Sequence, residues 1–197
     1  MDNLISIIIV HCHDLGRHLG CYGMNSVHSE NIDSFAAQGV QFEQSFCTAP
    51  SCSPARASLF TGRYPHNTGV MGLCHDNFGW DLNPGERHLA GFLSEAGYRT
   101  AAVGITHETS SHPKRWGYDI VDDKKYAEET AASGINILQK FSTDRTKPFF
   151  MSLGFLEPHR LPADKLNFTT GMIPGDHDFI GSHLKPDDQL GLKSRVI

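Results

Sequence analysis

The first apolar run constrains the fold more than any other stretch of the chain. Ile5, Ile7, Ile8, Ile9 and Val10 follow one another with only Ser6 between them, and the run ends abruptly in His11-Cys12-His13-Asp14-Leu15-Gly16. β-Branched side chains are stiff at χ1 and pack well on a pleated surface, and a run with no polar alternation needs cover on both faces. The segment therefore reads as a buried strand that delivers polar groups at its carboxyl end. It is far too short to span a bilayer and carries neither a basic leader nor a small-residue cleavage site. The expectation is a cytoplasmic chain with no membrane partner.

A strand buried on both faces requires neighbours, and the rest of the sequence supplies them. Ile32, Phe35 and Ala36, closed by Gly39, have the spacing of a short helix, and residues 40–47 alternate like a second strand. Ser53 as N-cap and Pro54 at the first helical position predict a helix through Phe60 that stops at Gly62. Leu89, Phe92, Leu93 and Ala96, followed by Gly97, predict another helix, and residues 98–103 a strand. Ala127, Ala131, Ile135, Leu138 and Phe141 keep helical spacing, and residues 148–155 read as a further strand. Strand and helix alternate, so the expected fold class is α/β, a mostly parallel sheet with helices on both faces. Beyond about Leu161 the periodicity dissolves among Pro162, Pro174 and Pro186 and several glycines. The expected organisation is one α/β domain over 1–161 and an irregular tail over 162–197, which looks like a truncated continuation. The fold is thus expected to be incomplete at its carboxyl end.

Composition narrows the function. Lys and Arg number 17 against 22 Asp and Glu, a net charge of −5, which argues against nucleic acid as a partner and confines any anion site to a local cluster. The five cysteines are odd in number and form no C-x-x-C pair, so neither a disulfide framework nor a zinc knuckle is expected. Asp122-Asp123 is expected to be solvated surface.

In α/β sheets ligands bind beyond the carboxyl ends of the strands. Three polar clusters fall there: His13-Asp14, Gly104-Ile105-Thr106-His107 and Glu157-Pro158-His159-Arg160. A fourth is sharper. In Cys52-Ser53-Pro54-Ala55-Arg56 a cysteine lies at the positive end of a helix, where a thiolate or a nearby anion is favoured. Arg56, one turn on, offers paired donors to a tetrahedral oxyanion. The pattern describes an anion site beside a nucleophile.

Cys52-Ser53-Pro54-Ala55-Arg56, continued by Ala57-Ser58-Leu59-Phe60-Thr61-Gly62-Arg63, resembles the signature of the type I sulfatases, members of the alkaline phosphatase superfamily. Neighbouring motifs extend the resemblance over about residues 4 to 161: His13-Asp14-Leu15-Gly16, Leu19-Gly20-Cys21-Tyr22-Gly23, Asn31-Ile32-Asp33, Tyr64-Pro65-His66, His107 and Pro158-His159-Arg160. The resemblance implies an enzyme that cleaves a sulfate ester, with a sulfated small molecule or carbohydrate as substrate. It also implies that a maturation enzyme oxidises Cys52 to formylglycine, whose hydrate would attack sulfur with one hydroxyl and expel sulfate through the other. Arg56 would neutralise sulfate charge, and His107 and His159 would contact the hydrate, the sulfate and the leaving oxygen. A divalent cation, calcium in most members, would be held by Asp14, by His13 in its neighbouring position and by the group made from Cys52. Family members are often periplasmic, secreted or lysosomal.

Departures from the family pattern are equally specific. His13 stands where the family has a first Asp, and since imidazole is a poor calcium ligand, either the site binds a softer ion or His13 does not ligate the metal. Ile105 stands where the family has a lysine, leaving Arg17 and Arg160 as the cations that would compensate. Family members are also considerably longer than 197 residues, and no later Asp-Asn or Asp-His strand end follows His159. Two alternatives follow: a phosphodiesterase or phosphonate monoester hydrolase of the same superfamily, and a truncated, non-catalytic sulfatase-like fragment.

Overall fold

A computed structural model describes residues 5–74, 79–124 and 126–159. In chain order the elements are β1 (Ile7–His11), α1 (Glu30–Ala36), α2 (Cys52–Thr61), α3 (Pro65–Thr68), α4 (Leu89–Glu95), β2 (Arg99–Gly104), β3 (Ile120–Asp122), α5 (Ala127–Ser142) and β4 (Phe149–Gly154). The chain divides into two compact units, one of Met1–His11 and Phe46–Leu156, the other of Cys12–Ser45 and Glu157–Ile197. Residues 162–197, the expected tail, lie outside the described residues, as does Arg160. Among the described residues no helix is long and apolar enough to cross a membrane.

The first unit holds the sheet, in the order β1-β4-β2-β3 with every pairing parallel. Register explains why both faces are apolar. Ile7 and Ile9 stand beside Phe150 and Ser152, which stand beside Thr100 and Ala102, so these side chains share one face. Phe60 of α2, Ala90 of α4 and Tyr118 close over Ala102 and Phe150 on that face. On the opposite face Ala101, Val103 and Met151 meet Ile137 and Phe141 of α5. The buried positions of α5, Thr130, Ser133, Gly134, Ile137 and Phe141, recur at three- and four-residue intervals, so one stripe of the helix lies on the sheet, whereas Ile135 of the expected apolar series is exposed. Parallel strands covered by helices on both faces are the α/β architecture expected from the sequence.

Two glycines let the strand ends approach. Gly104, with φ of 80°, closes β2 directly beside Gly154 at the end of β4, where a Cβ would collide with the Gly154 carbonyl. At Gly154 an added Cβ would lie 2.6 Å from Cε1 of His11.

Four local expectations are corrected. Strand β1 is not buried on both faces: it ends the strand order among the described residues, and Ile8 and Val10 are 44% and 64% exposed while Ile7 and Ile9 face the core. Residues 40–47 form no strand: Val40, Phe42 and Phe46 are 82%, 68% and 86% exposed, and the Phe42 carbonyl accepts from the Tyr22 hydroxyl at 3.1 Å instead of joining a ladder. Alternation yields a strand only when a partner edge takes its backbone groups. Helix α2 begins earlier than Ser53: Ser51, in extended geometry, is the N-cap, Cys52 is the first helical residue, and the Ser53 hydroxyl accepts from the Cys74 N–H at 3.1 Å. Pro54 falls in the first turn, where a missing N–H costs no helical bond. Asp122 is half-buried at the end of β3 and accepts from Ser133 of α5 at 2.5 Å, so it is a sheet–helix tie, whereas Asp123 is exposed. The short elements β3 and α3 carry too few residues to show a period in the sequence.

In the second unit Asp33 of α1 organises the neighbouring turn. Its carboxylate accepts from the Cys21 N–H at 2.7 Å and from the Ser29 hydroxyl at 3.0 Å. Gly20 lies against that carboxylate, where a side chain would collide.

Arg99 fastens the connection between α5 and β4. Its guanidinium donates to the carbonyls of Phe141, Asp144 and Lys147 at 3.0, 2.7 and 2.9 Å while lying over the Phe141 ring. Hydrogen bonds from charged donors contribute about 1.5–3 kcal/mol, so Arg99→Met is expected to cost about 2 kcal/mol. The check is urea unfolding, with a lower midpoint and an unchanged slope.

Candidate active site

Helix α2 carries the sharpest cluster. Cys52 occupies its first turn, where the unpaired N–H groups and the helix dipole favour negative charge. Arg56 follows at i+4, one turn on and on the same side of the helix. A nitrogen of His107, three residues beyond the end of β2, lies within 4.8 Å of the Cys52 sulfur. Cys52 and His107, chosen from sequence at separate points of the chain, thus come together in the first unit, with Arg56 one helical turn from Cys52.

Arg56 is only 7% exposed, so its charge is largely withdrawn from water. It donates through Nη1 to Nδ1 of His11, whose Nε2 lies 2.9 Å from the hydroxyl of Ser152. Since a guanidinium only donates, Nδ1 carries the lone pair and Nε2 the hydrogen, which it gives to Ser152. Burial, and after it the Arg56 charge, push the His11 pKa down to about 4 against an opposing pull from Glu108. His11 is therefore a neutral imidazole near pH 7.

Behind this layer lies a second buried polar group. Glu108 is almost wholly buried next in sequence to His107, and its Oε1 faces Nε2 of His88 at 3.6 Å. His88 caps α4 by accepting the Ala90 N–H on Nδ1, stacks on Phe60 at 5.1 Å and meets the Tyr118 ring edge-on at 5.4 Å. Burial, with the Glu108 charge, raises the Tyr118 pKa well above its ordinary value. Sequence reading missed His11, Ser152, His88, Glu108 and Tyr118. One signal was present: His11 and Ser152 are polar at positions whose period-two partners, Ile7, Ile9 and Phe150, face the core.

The remaining signature residues hold the helix. Ala57 packs with Val70, Cys74 and Leu82, Gly62 ends α2 with φ of 70°, and Arg63 pairs with Glu86 at 2.6 Å. Burial drives the Cys74 thiol up to about 11.

The second unit brings three other predicted residues together. Nε2 of His159 lies 3.9 Å from Oδ2 of Asp14, and the His13 and His159 rings meet edge-on with centroids 5.2 Å apart. The His13 N–H donates to the Glu157 carbonyl at 3.3 Å, tying the two segments. Asp14 has φ of 53°, a left-handed conformation that aspartate tolerates better than most residues. One carboxylate and two imidazoles suit a borderline divalent ion better than calcium, which takes six or more oxygens, but the ligating atoms of Asp14, His13 and His159 do not all lie within 4.8 Å of one another. Arg17 is held by the carboxylate and carbonyl of Glu43 at 3.0 and 2.9 Å.

Comparison with known proteins bears on this arrangement. A family model described as Sulfatase matches residues 6–176. The chain belongs to the sulfatase family. Human N-sulphoglucosamine sulphohydrolase is 31% identical over 151 residues, 75% of this chain and 30% of that protein. Human arylsulfatase H is 38% identical over 110 residues, 52% of this chain and 20% of that protein. This sulfatase chain thus spans no more than about a third of the length of these curated relatives. Among solved structures, BT4656 in complex with its substrate D-glucosamine-2-N,6-O-disulfate is 26% identical, with a TM-score of 0.67 over 81% of this chain and 36% of that one. Ps i-CgsB, 21% identical with a TM-score of 0.69 over 82% of this chain and 47% of that one, agrees in fold.

The loop that follows His107 is fixed by Asp81. Its carboxylate accepts from the hydroxyls of Thr109, Ser110 and Ser111 at 2.5, 2.7 and 2.9 Å and from the Leu82 N–H at 2.8 Å. Burial pushes this carboxyl up, but the hydrogen bonds together outweigh burial and hold its pKa below the ordinary value. An acid depressed on folding stabilises the fold above its unfolded pKa and loses that contribution as pH falls through the folded value. The stability margin of the unsubstituted chain over Asp81→Ala is expected to be full at pH 7 and to shrink below about pH 4. Urea midpoints of both proteins across that range provide the check, and a constant margin would contradict it.

Proposed function

We propose that this chain carries the nucleophile-bearing part of an enzyme that hydrolyses a sulfate ester, R–O–SO3⁻ plus water giving R–OH and hydrogen sulfate, with a sulfated carbohydrate as substrate. The observation that carries the reading is the approach of His107 to Cys52, one helical turn from the buried Arg56, in a chain of the sulfatase family. Carbohydrate as substrate class is supported by the aminosugar sulfates in the names of relatives on two sides of the comparison.

Each residue has a role that its surroundings suit. Cys52, after oxidation to formylglycine by a maturation enzyme, supplies the nucleophile at the positive end of α2. Arg56 binds the sulfate oxygens from a buried position, where its charge acts with little screening. His107, close to the Cys52 sulfur, moves a proton at the nucleophile or the leaving oxygen. The divalent cation of the family would be held by Asp14, with His13 and His159 beside it, and would supply charge stabilisation. The two imidazoles favour a borderline ion such as zinc over calcium.

The test is the full chain co-expressed with a formylglycine-generating enzyme. Mass spectrometry of the peptide containing residue 52 is expected to find the aldehyde, and 4-nitrophenyl sulfate is expected to be cleaved at a rate that Cys52→Ala lowers by about 10³-fold or more. Arg56→Ala is expected to cost about 10²- to 10³-fold, the scale of losing one positioned donor. An unmodified thiol together with sulfate release no faster than in Cys52→Ala would sink the proposal. Faster cleavage of an aryl phosphodiester than of the aryl sulfate would move the chain to the neighbouring hydrolase class.

A further inference from the structure

We propose that His11, at the carboxyl end of β1, is a positioning residue that fixes the direction of the Arg56 guanidinium from behind, using Ser152 of β4 as its anchor. The inference rests on the reading of Arg56 as the sulfate-binding cation and deepens it. Three contacts locate the imidazole. Nδ1 accepts from the guanidinium, Nε2 lies 2.9 Å from the Ser152 hydroxyl, and the ring meets Phe60 edge-on at 5.7 Å. Register makes the arrangement a product of the sheet. His11 pairs with Gly154, and Ser152 lies two residues earlier on the same face of β4. The ring occupies space that Gly154 leaves open, for an added Cβ there would come within 2.6 Å of Cε1.

The chemistry of the partner matters as much as its place. A carboxylate behind Arg56 would orient the guanidinium but would also neutralise it and repel an incoming anion. An imidazole offers an acceptor lone pair without negative charge, so the guanidinium is held and its positive charge stays available for sulfate. Arginine has many rotamers, and a side chain ordered before its ligand arrives loses less freedom on binding.

The test is binding of inorganic sulfate to the full chain by isothermal titration, which requires no turnover. His11→Phe keeps the ring shape and removes both nitrogens, and it is expected to weaken sulfate about tenfold, the scale of ordering one rotamer-rich side chain. His11→Asn, whose amide oxygen can replace Nδ1, is expected to stay within about threefold of the unsubstituted chain. In an Arg56→Ala background, His11→Phe is expected to change nothing further, because the two residues act as one unit. Ser152→Ala, which leaves His11 and Arg56 in place, is expected to weaken sulfate about threefold and keeps the test decisive should His11→Phe fail to fold. Sulfate binding that Arg56→Ala abolishes but neither His11→Phe nor Ser152→Ala alters would overturn this inference and leave the proposed function standing. Equal losses in His11→Phe and His11→Asn would overturn it as well, since rescue by an acceptor is its signature. An unsubstituted chain that binds no sulfate would remove the reading of Arg56 itself.

Discussion

The structure turns on a buried positive charge. Arg56 is withdrawn from water on the first turns of α2, and a charge in that position persists only where its donors are met. His11 meets one of them, and His11 can do so because β1 runs parallel to β4 in a register that places Ser152 and Gly154 where they are needed. Slipping that register by one residue would turn His11 to the other face of the sheet, replace it with Val10 and leave the guanidinium facing an aliphatic side chain. The apolar ladder of the sheet is therefore also the alignment device of its most polar edge.

The same logic runs through the layer behind. Glu108 faces His88 directly, and the His88 ring in turn stacks on Phe60 and meets Tyr118 edge-on. Buried polar groups in a low dielectric interact strongly and tolerate few alternative arrangements. The loop that leaves β2 with His107 and Glu108 is then pinned by the hydroxyls that gather on Asp81. Rigid support of this kind suits residues that must hold a charge in a fixed direction.

Much of the fold was legible because its signals are local. Consecutive β-branched residues marked β1, three- and four-residue spacing marked α4 and α5, and Gly62 marked where α2 stops. The failures have physical causes. Residues 40–47 alternate but have no ladder partner, and Asp122 looked like surface until Ser133 of α5 came over it. The start of α2 moved back to Cys52 because a Cys74 N–H claims the Ser53 hydroxyl from the far side of the loop.

The sequence by itself determined the family and the α/β alternation, since a contiguous motif and local periodicity require no knowledge of what packs where. Tertiary structure alone decided that His11 stands behind Arg56, that Ser152 anchors it, and that Glu108 and His88 are buried together. These pairings join residues 45, 141 and 20 positions apart, and their existence depends on strand order and register. Local side-chain pattern encodes the elements, but only long-range packing selects which polar groups share a dry interior.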